Sequence, residues 1–80
     1  MNTLQSEWFI ANQEKILNDL ERNPNGLSVE EISSDTNIFE PSLTWLLDRL
    51  ESDGKIRIVG YSQVWSRWSG NGTQAHYALV

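Results

Sequence analysis

Residues 27–58 read LSVEEISSDTNIFEPSLTWLLDRLESDGKIRI, and this stretch decides the fold. Ser28 and Glu31 have the spacing of a capping box, in which hydroxyl and carboxylate each accept from the other residue's backbone amide. Leu27 and Ile32 stand at the two positions of a hydrophobic staple. Glu30 and Glu31 lie at the positive end of the helix dipole, so folding alone accounts for both acids. The pattern predicts a short helix over 28–35 that turns Val29 and Ile32 inward. Thr36-Asn37-Ile38-Phe39 reads as a turn with Ile38 as its apolar plug. Pro41 suits the first position of the next helix and biases Glu40 away from helical geometry, which makes Glu40 the expected cap. Leu43, Leu46, Leu47 and Leu50 recur at i, i+3, i+4 and i+7, the buried stripe of a helix over 41–53. Asp53-Gly54 stops that helix, with Gly54 as its left-handed cap.

Working outward, a helix is expected over 5–22. Phe9, Gln13, Ile16, Leu17 and Leu20 form its core face. Asn23-Pro24-Asn25-Gly26 ends it, because proline cannot continue the ladder and Asn-Gly favours a turn. Leu4, Trp8, Ala11 and Lys15 make a second stripe. Leu4 and Trp8 fit two roles, covering the edge of a small core or forming a self-association surface. Downstream of Gly54 the period changes to two. Ile56 and Ile58 alternate with Arg57 and Val59, and the apolar run continues through Tyr61, Val64 and Trp65. Gly70-Asn71-Gly72 is the strongest turn signal in this half. It predicts a hairpin over 55–80 with its loop near 66–72 and a return strand over 73–80, where Tyr77 and Leu79 share a face. The fold class is therefore α+β, mainly α: three helices with a C-terminal two-stranded β-hairpin, in one domain over 1–80.

Composition narrows the chemistry. The 80 residues can bury one modest core. The absence of cysteine removes disulfides, thiolate metal sites and thiol nucleophiles, and fits a cytoplasmic location. The N-terminus shows no signal-peptide pattern and no apolar run reaches membrane-spanning length, so no membrane partner is expected. His76, the single histidine, has no acid or nucleophile beside it in sequence, and metal-ligand spacing and phosphate-binding glycine loops are absent. The expectation is a non-enzyme without cofactor or metal. Net charge is −5, but residues 1–53 hold all 11 acids and 3 bases, whereas residues 54–80 hold 3 bases and no acid. A polyanion is repelled by the first part and attracted by the second.

The run Leu47-Asp48-Arg49-Leu50-Glu51-Ser52-Asp53-Gly54-Lys55-Ile56 has the L-x-x-L-x-x-x-G-K-I ending of a helix that turns directly into a strand. With the capped short helix before it and the glycine-broken aromatic hairpin behind it (Trp65, Arg67, Trp68, Gly72, His76, Tyr77), the chain resembles the winged helix-turn-helix family of small bacterial and phage transcription regulators. The resemblance covers about residues 5–80. It implies binding of double-stranded DNA, with the third helix in the major groove and the wing on backbone or minor groove. The matching outward positions of that helix are Pro41, Ser42, Trp45, Asp48, Arg49 and Ser52. Candidate DNA contacts are Ser42, Trp45 and Arg49 on the helix, and Arg57, Arg67, Trp68 and Asn71 on the wing. Lys55 stands at the wing's root. Trp65, Trp68 and Tyr61 can pack on sugar or stack an arginine, and Trp65 equally suits a lid over the core. Asn71 and Thr73 can donate to phosphate.

Phosphate affinity normally comes from Lys and Arg, and the third helix offers only Arg49 among Glu40, Asp48 and Glu51. That balance keeps a second function open. A winged helix can serve as a protein-interaction module, such as an adaptor, co-regulator or phage inhibitor of a host protein. Leu4, Trp8 and Trp45 are the interface candidates. A homodimer is expected of the DNA-binding regulator, for which Leu4 and Trp8 offer a self-association surface. Trp45 lies nearly opposite the leucine stripe, where a large apolar side chain is exposed unless something covers it. Tryptophan is a frequent interface anchor.

Overall fold

The computed structural model describes residues 3–66 and 70–80. The expected contacts Arg67 and Trp68 lie outside the described residues, as do the side chains of Leu4, Trp65 and Asn71. The order of elements is α1 (Thr3–Arg22), β1 (Leu27–Ser28), α2 (Val29–Thr36), α3 (Glu40–Ser52), β2 (Ile56–Ser66) and β3 (Gly70–Leu79). Among the described residues, no helix is long and apolar enough to cross a membrane.

The capping box forms in full. The Glu31 amide donates to Ser28 Oγ at 3.2 Å, and the Ser28 amide donates to Glu31 Oε1 at 3.0 Å. Donation from the Ser28 backbone, and then from its hydroxyl, holds the Glu31 carboxyl below its usual range. Ser28 is extended, with φ −76° and ψ 166°, and that geometry lets it serve a second element as well. Leu27 and Ser28 pair antiparallel with Tyr77 and His76, so the expected two-stranded hairpin is a three-stranded sheet in the order β1-β3-β2. Two residues are too short to show alternation, which is why β1 leaves no periodic trace in the sequence.

The turn between α2 and α3 is held from inside. Asn37 takes the left-handed conformation, at φ 60°, and its amide donates to the Ser33 carbonyl. Ser33 Oγ donates to the Ile38 carbonyl at 2.7 Å, and Ile38 is buried. One expected cap is displaced by a residue. The extended cap of α3 is Phe39, and Glu40 is already helical. Pro41 tolerates this because first-turn amides have no partner within the helix, so its missing N–H removes no bond there. At the far end the Gly54 amide donates to the Glu51 carbonyl, and Gly54 has φ 75°.

The leucine stripe is the centre of the core. Leu43, Leu46, Leu47 and Leu50 are fully buried with Ile16 and Leu20 of α1, Ile32 of α2 and, nearly so, Ile56 of β2. Tyr77 closes the core from β3, and Phe9, Leu17, Val29 and Ile58 pack around it. The sheet register runs from Ile56 opposite Leu79 to Ser66 opposite Gly70, with one irregularity between Ile58 and Gly60. Val59 is the extra residue there, a β-bulge.

The register also corrects the reading of the Gly-Asn-Gly tripeptide as a turn. Gly70, Asn71 and Gly72 belong to β3 and pair with Ser66, Trp65 and Val64. The Gly-Asn-Gly tripeptide is therefore strand, while residues 67–69 of the loop expected near 66–72 lie outside those described. Pairing is set from the buried end of the hairpin, where Ile56, Ile58 and Tyr77 must face the core, and local glycine preference yields to it.

Candidate nucleic-acid interface

The outward part of α3 is not one uniform surface. On one flank Trp45 is 55% exposed, and its ring packs against Phe9 of α1. The two rings are 5.9 Å apart at 79°, an edge-to-face pair. Arg49, one turn further along, places its guanidinium 6.0 Å from the Phe9 ring centre. Trp45 is thus exposed, as its place opposite the leucine stripe led one to expect, with Phe9 covering part of it. Phe9, expected only as a core residue, is half-buried and forms the floor under both side chains. Its place at the edge of α1's apolar face was the available signal, but which partner it meets depends on how the helices cross.

Arg49 also makes an ion pair with Asp53, 3.4 Å from Nε to Oδ2. Both side chains are largely exposed, so this pair contributes at most about 1 kcal/mol and yields readily to a phosphate. Ser42 is half-buried at the start of the same helix. Phe39, expected only as part of the turn, is 75% exposed just before α3. A turn residue needs no periodicity, so nothing in the pattern marked it.

The other flank of α3 faces the wing and is acidic. Burial raises the Tyr77 hydroxyl's pKa above its usual range, and the charges of Glu51 and Asp48, with Tyr61, push it the same way. These four residues therefore share a neighbourhood between α3 and the sheet. Tyr61 is 68% exposed and pairs with Ala75, on the same sheet face as Tyr77.

The wing's bases are divided by the pleat. Arg57 pairs with Ala78, between the core-facing pairs Ile56–Leu79 and Ile58–Tyr77. Alternation therefore puts Arg57 on the opposite sheet face from Tyr77 and Tyr61, where it is exposed. His76 lies on that outer face too, hydrogen-bonded to Ser62 at 2.7 Å. This contact accounts for the histidine as a cross-strand tie. The structure brings Trp45 and Arg49 together beside Phe9 and leaves Arg57 on the outer face of the sheet.

A family model described as winged helix-turn-helix DNA-binding matches residues 11–57. The match begins in the middle of α1, takes in β1, α2 and α3, and ends on the second residue of β2. Comparison with curated proteins and with solved structures finds no match. The matched segment is more than half of the chain and holds the capped α2, the Ile38 turn and the leucine-striped α3 in the required order. The chain belongs to the winged helix-turn-helix DNA-binding family.

Proposed function

We propose that this protein is a DNA-binding transcription regulator of a bacterium or phage, acting in the cytoplasm, with residues 1–80 forming one winged-helix domain. The observation that carries the reading is the family match across α2, the turn and α3. The solvent-facing residues of α3 support it. Ser42, Trp45 and Arg49 meet the major groove. Arg57, Arg67, Trp68 and Asn71 of the wing meet backbone or minor groove. Three arginines on phosphates give a salt dependence of log K with a slope of about −3. Fluorescence anisotropy with labelled duplex DNA over a series of salt concentrations measures it. Arg57→Ala or Arg67→Ala each reduces the slope by about one. Absence of binding at low salt to any fragment of a genomic library refutes the proposal.

A second function draws on the apolar residues around Phe9. Trp8 and Ile10, on either side of it in α1, are exposed, as is Trp45. With the acids of the helical part they suit a protein partner or a second copy of the chain, reached through Leu4, Trp8 and Trp45. The two functions separate on Trp45→Ala. A partner isolated with the intact protein is lost in this variant if that surface binds it. A complex that persists unchanged excludes the surface.

A further inference from the structure

The C-terminal halves of α1 and α2 enclose a polar cleft of about 570 Å³ on a different part of the fold. Lys15, Asn18, Asp19 and Arg22 line it from α1, at the i, i+3, i+4 and i+7 spacing of a single helix face. Asp35 and Thr36 line it from the last turn of α2. Asp19 is only 9% exposed, and its Oδ2 is enclosed and meets no hydrogen-bond donor. Asp35 lines the same cleft, and its charge acts on the Asp19 carboxyl and raises its pKa. Two carboxylates so placed repel each other unless a proton or a cation lies between them. Both helices also end here, and the negative ends of their dipoles add to the demand for positive charge. Among the described residues, no ion pair reaches Asp19 or Asp35.

We propose that this cleft binds a small zwitterion of the α-amino-acid type, its ammonium group held by Asp19 and Asp35 and its acid group by Lys15 and Arg22. An ammonium donates three hydrogens, which suits the Asp19 and Asp35 carboxylates and the side-chain carbonyl of Asn18, all of which line the cleft. A metal ion is the poorer occupant, since the described residues offer no group of three or more acidic or imidazole ligands and two cationic side chains stand at the rim. The volume lies within the range of small-molecule sites.

The test is titration of the full chain, labelled with nitrogen-15, at pH 7.5 with each standard α-amino acid in turn. Methylammonium, acetate and calcium chloride at matched ionic strength serve as controls. The expected result is saturable shifts in the amides of the second half of α1 and the last turn of α2 with at least one amino acid. Methylammonium binds more weakly and acetate not at all. Asp19→Asn and Asp35→Asn each lower the affinity about tenfold or more while the rest of the spectrum stays that of the folded protein. The proposal is overturned by the absence of any saturable shift, or by shifts that survive both substitutions. It is also overturned by methylammonium binding as tightly as the amino acids, or by calcium binding more tightly than either.

Discussion

Replacing Asp19 by asparagine stabilises the unliganded protein at neutral pH. Burial raises the Asp19 pKa from its ordinary 3.8 to about 6, aided by the neighbouring Asp35 carboxyl and its charge. Arg22 pulls the other way and Glu31 adds a small push upward. A carboxyl whose folded pKa lies above its unfolded one binds its proton more tightly in the folded state. Its ionisation therefore costs stability progressively as pH rises from about 4 through 6, and the full cost applies above that. The interval between 3.8 and about 6 corresponds to about 3 kcal/mol as a ceiling. Relaxation of Asp35 and entry of water lower this, so the expected gain for Asp19→Asn at pH 7.5 is about 1 to 3 kcal/mol. For a domain of this size that raises Tm by roughly 5 to 15 °C. At pH 3.5 the carboxyl is protonated in both states for the most part, and the gain shrinks towards zero. Thermal unfolding followed by circular dichroism at both pH values measures the difference. A variant no more stable than the parent at pH 7.5, or one with the same advantage at both pH values, refutes the account of Asp19 as a buried carboxyl opposed by Asp35.

Three further substitutions test the frame. Gly26 has φ +99°, and a Cβ there meets Val59 Cγ2 at 2.7 Å and the Tyr77 carbonyl at 3.2 Å, so Gly26→Ala destabilises by about 2 kcal/mol or more, read as a lowered urea midpoint. Ser28→Ala removes the hydroxyl half of the capping box and costs about 1 kcal/mol in the same assay, without changing the strand register opposite His76. Leu47→Ala opens a cavity in the fully buried stripe and costs about 2 to 5 kcal/mol, which a chain this small survives only in part.

The helical frame was legible because each of its signals is local and they agree. Ser28 and Glu31 must lie three apart to cap, the four leucines must recur at helical spacing to share a face, and Gly54 must follow α3 to end it. What was hidden depends on distant pairing. Leu27-Ser28 becomes a strand only because Tyr77 and His76 arrive beside it. Gly70-Asn71-Gly72 is strand and not turn because Ile56 and Tyr77 set the register from the other end. Phe9 becomes the floor for Trp45 and Arg49 only through the crossing of α1 and α3. Asp19 falls between Ile16 and Leu20 on the edge of the core face, yet its burial depends on where α2 ends.

The acidic flank of α3 bears on what kind of DNA binder this family member is. Arg49 supplies one positive charge to the helix, whereas Asp48 and Glu51 present two negative charges on the flank towards Tyr61 and Tyr77. Every duplex repels those carboxylates through its phosphates, whatever its sequence, so they lower non-specific affinity uniformly. A cytosine amino group at the right step of the major groove can offset that cost by donating to a carboxylate, and other bases cannot do so equally. Like-charge repulsion that only the correct site relieves widens the gap between specific and non-specific binding while reducing both in absolute terms. On this argument Asp48→Asn strengthens binding to random duplex more than to the cognate site, and the specificity ratio falls. Equal strengthening of both assigns Asp48 to the general field of the protein and not to base reading.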